Sequence, residues 1–343
     1  MAILAAAMYK SRRWYVRDIL DNLDYYAEAL HKALINGTFV TRYTPKTICD
    51  GLNKKPREIL IPHFFPDQCA HHAIIQVLKP QIKKSAYIYS CANIEGRGTD
   101  YGSIATKKLL YKTKAKYAGK MDIRQFYPSI KNHLLKDFIK TKIKDKKALE
   151  LIFRVIDSNV GLPIGNYTSP WFAEWFLQRL DHYIKEKLHI KMLVRYADDI
   201  VIGGTNKRKI QAAVRKIIIF AKDVLGLEIK HNYQVFPIKS SDNSRYKNRK
   251  IDFLGKCFAT DYITIRKIRA LSIMCQSRFI FKKQMKNQPI EFHTCAGFIS
   301  RIAVFKTTDS LHMRIKYLHS IVIKNLKEII RQHSKIKKQG LHI

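Results

Sequence analysis

Acidic side chains are scarce in this sequence. Its 343 residues hold 27 Asp and Glu against 64 Lys and Arg, a formal net charge of +37. Such an imbalance points to a polyanionic partner, because Lys and Arg neutralise phosphates and release their counterions. A membrane-surface protein can also be basic, but here the basic residues run through the whole length and are not gathered on one amphipathic segment. Long apolar runs are missing too. None approaches the roughly 20 residues needed to cross a bilayer. The opening stretch, Met1 to Met8, is too short for that, and its positive charge follows it instead of preceding it, which makes a poor signal peptide. The expectation is a cytoplasmic protein with no membrane partner. Cysteine is sparse: Cys49, Cys69, Cys91, Cys257, Cys275 and Cys295 show no Cys-x-x-Cys spacing. That excludes a zinc cluster or disulfide framework and leaves buried or free thiols in a reducing compartment. His71-His72 reads as core or surface, not as a metal site. There is no internal repeat and no low-complexity tract. The length suffices for a large core and two or three subdomains.

What is present centres on Tyr196-Ala197-Asp198-Asp199. Apolar, β-branched residues flank it (Leu193-Val194 before, Ile200-Val201-Ile202 after), and Gly203-Gly204 closes the run. The pattern predicts a β-hairpin with the acidic pair at its tip. Adjacent carboxylates repel and cost desolvation, so a cation is expected beside them, a hard divalent ion such as Mg²⁺ being the natural one. A solvated turn is the plainer alternative. In-line nucleotidyl transfer by two metals needs a third carboxylate. Asp122 is the candidate, at the end of a short predicted strand, with Pro128 marking the next element. Between the two acidic blocks lies Gly161-Leu162-Pro163-Ile164-Gly165-Asn166-Tyr167-Thr168-Ser169-Pro170.

Elsewhere the chain reads as helices with short strands. Residues 9 to 36 carry a helical period through Trp14, Ile19, Leu23, Tyr26, Leu30 and Leu34, stopped by Asn36-Gly37. Strands and an Asn53-Lys54-Lys55-Pro56 loop follow, then a helix started by Pro66-Asp67. Gly96-Arg97-Gly98 is either a phosphate cradle or a plain turn. Residues 131 to 157 read as a Lys-rich helical pair, and the helix from Trp171 to Leu180 carries Asp181 as a structural or solvated residue. A helix is expected over 206–225, a strand at Leu227 to Lys230, and a basic hairpin tip over 239–250. Helices continue from about 266, with a frayed basic end from Lys335 to Ile343.

The acidic blocks, in this order, resemble the palm motifs of reverse transcriptases. Asp122 to Tyr127 is similar to their Asp-x-x-x-aromatic-aromatic motif, Pro163 to Pro170 to their Pro-x-Gly-x-x-x-Ser motif, and Tyr196 to Asp199 to Tyr-x-Asp-Asp. Ile251-Asp252-Phe253-Leu254-Gly255 looks like the primer grip, and Arg57 to Pro62 like the fingers segment over the incoming triphosphate. The resemblance covers about residues 40 to 265. It implies an α+β right-hand polymerase fold: an N-terminal helix and fingers over 1–118, a palm with an antiparallel sheet backed by helices over 119–265, and a helical thumb with a basic tail over 266–343. It implies catalytic carboxylates at Asp122, Asp198 and Asp199, and metal ligands there and at Ile123, for two Mg²⁺ ions with Mn²⁺ able to substitute. Nucleotide contacts are implied at Arg57, Phe126, Tyr127, Ile164, Gly165 and Lys230, and primer contacts at Phe253, Leu254 and Gly255. Tyr127 would close the 2′ side of the sugar pocket, and Lys230 would protonate the leaving pyrophosphate or serve as an ordinary surface lysine. The partners implied are a structured template RNA, the cDNA/RNA duplex and deoxynucleoside triphosphates, with a small accessory protein or a second copy of the chain as further candidates.

Among reverse transcriptases the chain looks most like those of diversity-generating retroelements, because Ile164 stands where others carry Gln, and because Gln234-Val235-Phe236-Pro237 and the short palm-to-thumb spacing fit. Ser169-Pro170 and Gly96 to Asp100 depart from that subgroup, and Ser169-Pro170 and Tyr196 to Asp199 are more like group II intron enzymes. The chain is expected to be too short for an appended ribonuclease H, integrase or homing-endonuclease domain, and the resemblance then implies a compact enzyme that is bacterial or phage-encoded. The expectation is an error-prone enzyme that makes cDNA from one structured RNA. An antiphage-defence enzyme copying its own non-coding RNA, and an inactive RNA-binding scaffold of the same fold, are the alternatives.

Overall fold

The computed structural model describes residues 1–50, 55–241, 248–318 and 320–338. The Asn53-Lys54 part of the expected loop, the centre of the basic segment at 239–250 and the last residues of the tail lie outside these. The chain forms two compact units. The first comprises residues 1–105 and 118–235. The second comprises residues 106–117 and 236–343.

The first unit opens with helices α1 (Ala2–Ala7), α2 (Trp14–Asp21) and α3 (Leu23–Ile35). The period expected over 9–36 is thus carried by two helices, because the backbone leaves helical geometry at Asn22 (φ −115°, ψ 41°). Trp14, the first residue of that period, is 80% exposed. Strands β1 (Tyr43–Asp50) and β2 (Lys55–Pro62) pair antiparallel, with Ile48 opposite Arg57 and Pro45 opposite Leu60. Helix α4 (Cys69–Ser85) starts three residues beyond Pro66, and α5 (Thr99–Thr113) carries the chain into the second unit. Next come β3 (Tyr117–Asp122), the single turn α6 (Phe126–Ser129), which contains Pro128, then α7 (Asn132–Lys142), α8 (Lys146–Asp157) and α9 (Thr168–His182). The hairpin β4 (Met192–Tyr196) and β5 (Asp199–Gly204) follows, then α10 (Lys207–Leu225) and β6 (Gln234–Pro237). Leu227 to Lys230 forms no full strand; it makes a single antiparallel bridge, Ile229 to Ile123.

The sheet order is β4-β5-β3-β6. Leu193, Val194, Ile200, Val201 and Ile202 are all fully buried, so side chains on both faces of the hairpin are covered, and a polar alternation is absent from the sequence for that reason. Helix α10 packs on β5 and α9, and α9 packs on α4 and α7. Helix α9 is the core of the unit: Phe172, Trp175, Phe176, Leu177 and Leu180 are fully buried.

The second unit holds a meander of β7 (Ile251–Phe253), β8 (Lys256–Phe258) and β9 (Ile263–Ile265), then α11 (Lys267–Met285), α12 (Phe292–Ile302), α13 (Leu311–Tyr317) and α14 (Ser320–Lys338). Its core gathers Ile273, Ile280, Cys295, Phe298 and Leu326. Among the described residues no helix is long and apolar enough to cross a membrane. All six cysteines are free thiols. Burial pushes the Cys69 and Cys91 thiols up to about 12. His71 is fully buried beside the Thr41 hydroxyl, and burial drives its imidazole down to about 3, so it is a neutral core residue.

Candidate active site

Three pieces of main chain are stitched together where the acids lie. Ile123 N–H donates to the Asp198 carbonyl at 3.3 Å, Lys230 N–H donates to the Asp122 carbonyl at 2.8 Å, and Arg124 N–H donates to the Glu228 carbonyl at 2.8 Å. The end of β3, the β4–β5 tip and the segment after α10 therefore move as one. Tyr196 pairs with Asp199 across a two-residue tip, Ala197-Asp198, with Ala197 in the left-handed region at φ 51°.

This places Asp122 and Asp198 side by side. The Asp198 carboxyl is held above the ordinary carboxylate range, first by burial and next by the negative charge of Asp122, while Lys230 and Arg57 pull it back. The Lys230 ammonium forms an ion pair with Asp122 Oδ1. That oxygen is closed off from solvent and accepts no hydrogen bond of good geometry, so the pairing is electrostatic. The Asp199 carboxylate lies 3.8 Å from the ammonium of Lys120, which stands two residues before Asp122 on β3 and so on the same face of that strand. Among the described residues no three His, Cys, Asp or Glu side chains converge on one point.

The remaining expected residues divide by surroundings. Tyr127 is half-buried; burial raises its pKa, Asn93 opposes that, and Asp198, Glu174 and Tyr196 add smaller contributions. Phe126 beside it, 5.1 Å between ring centres, is buried core. Arg57 is exposed on β2. The Ile164 carbonyl accepts from Leu60 N–H at 2.8 Å, which fastens the Pro-x-Gly segment to β2. Gly165, at φ 105°, sits so close that a Cβ would meet the Leu60 carbonyl oxygen at 2.9 Å; only glycine suits that approach. A cavity of about 520 Å³ opens beside Gly165, lined by Lys10, Arg13, His72, Asn93 and Asn166. Arg97, in the expected phosphate cradle, is turned inward instead, donating to the carbonyls of Tyr87 at 2.7 Å and Ser90 at 3.0 Å. Phe253, Leu254 and Gly255 belong to the second unit. Phe253 is fully buried, and Leu254 (φ 53°) with Gly255 (φ 75°) forms the tight turn of the β7–β8 hairpin.

One group of residues escaped the sequence reading. Arg195, Glu174 and Asp181 form a fully buried ion cluster. Asp181 is therefore structural, not solvated. Two signals were available. Arg195 interrupts an apolar strand, and Glu174 and Asp181 stand seven residues apart on an aromatic-rich helix, hence on one face.

The sequence model of the family described as "Reverse transcriptase (RNA-dependent DNA polymerase)" matches residues 53–257, more than half of the chain. The chain belongs to the reverse transcriptase family. A retron Ec73 reverse transcriptase from Escherichia coli is 31% identical over 157 residues, covering 40% of this chain and 48% of that protein. The chain thus spans about half the length of this curated relative. Telomerase from Candida albicans, solved in complex with a fragment of telomeric RNA, superposes with a TM-score of 0.51 at 11% identity, covering 85% of this chain and 61% of that one. That likeness is one of fold, an α+β polymerase architecture.

Reverse transcriptase domains use divalent metal ions, and the acidic pair suits one. Asp122 and Asp198 raise each other's electrostatic cost, which a cation between them relieves. The donors expected there would all be oxygen: the two carboxylates and, since isoleucine has no side-chain ligand, the Ile123 carbonyl. An ion held by one or two carboxylates that completes its shell with water and substrate phosphate matches so small a set.

Proposed function

We propose that this reverse transcriptase family member is an RNA-directed DNA polymerase whose acidic pair, Asp122 and Asp198, holds Mg²⁺, with Mn²⁺ able to substitute. The observation that carries the reading is the apposition of Asp122, at the end of β3, and Asp198, at the β4–β5 tip, held by the Ile123 N–H bond to the Asp198 carbonyl. When bound, the metal would neutralise the triphosphate and make the primer 3′-hydroxyl more acidic. The primer 3′-oxygen forms the new bond to the α-phosphorus, the α–β anhydride bond breaks, and pyrophosphate leaves. Arg57 offers a planar fork to the triphosphate. Lys230, ion-paired with Asp122, would give the leaving pyrophosphate its proton. Tyr127, half-buried where Phe126 is core, would bar a 2′-hydroxyl. Ile164 and Gly165, anchored on Leu60, would wall the nascent base pair. Asp199 would act from beside the pair through its charge.

Primer extension on an RNA template with Mg²⁺ tests this. The wild type should extend with deoxynucleotides, and Asp198→Asn should lower kcat by about 10³-fold or more, the scale of several kcal/mol of lost charge stabilisation. A wild type that binds RNA but extends no primer would overturn the proposal and favour the RNA-binding scaffold.

For the biological role two readings stand, an antiphage-defence enzyme that copies its own non-coding RNA and an error-prone, diversity-generating enzyme, and kinship to a retron reverse transcriptase fits either. Ile164 supports the latter, since an apolar wall discriminates less than a hydrogen-bonding one. Sequencing cDNA from wild type and Ile164→Gln on one template separates them. Errors concentrated at template adenines, reduced by the substitution, would restore the diversity-generating role; matching spectra would leave the dedicated-RNA role.

A further inference from the structure

A guanidinium has five N–H donors and no acceptor, and burying it without partners is costly. Arg195, fully buried on β4, places all five. Nε donates to Asp181 Oδ1 at 2.8 Å and Nη2 to Asp181 Oδ2 at 2.6 Å. Nη2 also donates to Glu174 Oε1 at 2.9 Å, and Nη1 to Glu174 Oε2 at 3.0 Å. Both carboxylates are therefore gripped bidentately. The fifth hydrogen leaves the cluster: Nη1 donates to the Ala197 carbonyl at 3.2 Å. Ala197 is the non-glycine residue held at φ 51°, directly before Asp198. Such a backbone persists when its surroundings over-determine it.

The cluster is itself anchored. The Ser90 hydroxyl donates to Glu174 Oε1 at 2.5 Å. The main chain of Arg195 is bonded on both sides, its N–H to the Tyr89 carbonyl at 3.0 Å and its carbonyl to Cys91 N–H at 2.8 Å. Arg97 then ties down the carbonyls of Tyr87 and Ser90. A rigid chain of bonds thus runs from α9 and the 87–91 segment to a single carbonyl in the acidic turn.

We infer that Arg195, oriented by Glu174, Asp181 and Ser90, is a positioning residue that fixes the Ala197-Asp198 turn so that Asp198 meets Asp122 at metal-binding distance. The inference rests on the polymerase reading above for its effect on rate, but its effect on metal binding can be read without any DNA synthesis.

The experiment compares the full-length wild type with three variants. Arg195→Lys keeps the charge but cannot serve two carboxylates and the carbonyl together. The charge-free variant R195M/E174M/D181L removes the cluster without leaving a lone buried charge, an exchange cores often tolerate. Ser90→Ala removes one hydroxyl and little volume. Folding is checked by thermal unfolding in EDTA, Mn²⁺ affinity by electron paramagnetic resonance, and kcat and dNTP KM by primer extension. Loss of an outer partner behind a metal ligand typically costs about 10–100-fold in affinity or activity. The folded Arg195 variants should show a Mn²⁺ Kd raised on that scale and a matching fall in kcat, with dNTP KM changed less than about threefold; Ser90→Ala should show a smaller shift, about threefold. Excess Mn²⁺ should restore part of the lost rate. If any folded Arg195 variant keeps wild-type Mn²⁺ affinity and kcat, the cluster is only core filling and the inference is overturned. Should neither Arg195 variant fold, Ser90→Ala decides by the same two readouts. A wild type that binds Mn²⁺ yet makes no DNA would sink the polymerase reading alone, and the Mn²⁺ affinities would still decide this one.

Discussion

Asp198 and Asp199 are neighbours in sequence with different surroundings, and their substitutions should separate. A carboxyl whose folded pKa lies above its unfolded one adds stability below the unfolded pKa and loses it as pH rises through the folded value. Asp198 is such a group, through burial and through Asp122. At pH 7 without divalent ions its charge weighs against the fold. Asp198→Asn should therefore abolish extension and yet raise the Tm measured in EDTA at pH 7, by about 1–3 °C. The gain should fade below about pH 4, where both states bind the proton in the wild type. A lowered Tm at pH 7 would contradict the coupling. Asp199→Asn, which loosens a contact with Lys120, should cost about 10-fold in single-turnover rate, far less than Asp198→Asn. Tyr127→Ala should weaken the preference for deoxy- over ribonucleotides by about 10–100-fold in kcat/KM ratios. Unchanged discrimination in single-nucleotide assays would move the gate elsewhere.

At the scale of elements, the acidic hairpin depends on how neighbouring loops are clamped. Gly161 sits at φ 71°, and a Cβ there would lie 2.3 Å from the Pro128 carbonyl oxygen. That oxygen is main chain and cannot swing aside. Gly161→Ala should cost about 2–4 kcal/mol and lower Tm by roughly 5–10 °C in thermal unfolding, with Tyr127 displaced because Leu162 N–H bonds the Tyr127 carbonyl. Much of this was legible beforehand. The β4–β5 hairpin showed itself as apolar runs around two aspartates, and the strand ending at Asp122 stands where the pattern put it. The break at Asn22 was not legible, because the apolar period continues straight through it. Nor was the contact of Asp199 with Lys120, which depends on how β3 lies beside β5. The Arg195 cluster was hidden for a physical reason: charged side chains are rarely fully buried, so each of its members reads singly as surface.

At the scale of the whole molecule, the charge of +37 should govern RNA affinity. If six or more phosphates are neutralised, raising salt from about 50 to 200 mM should weaken RNA binding by roughly 10³-fold. A flat response in filter-binding titrations would mean that the charge serves another partner. Asp198→Asn should leave this salt dependence unaltered, since one carboxylate is a small part of the total. The division into units has its own consequence. The second unit takes Thr106–Tyr117 from the middle of the first and the rest from residue 236 onward. It is not a cassette that one crossover can exchange. A chimera joined once near residue 235 would pair a foreign C-terminal part with a resident 106–117 segment, and its two pieces would be mismatched from the start. Grafting the unit between relatives needs three joints, near residues 105, 118 and 235, and a plain C-terminal deletion removes only part of a folding unit.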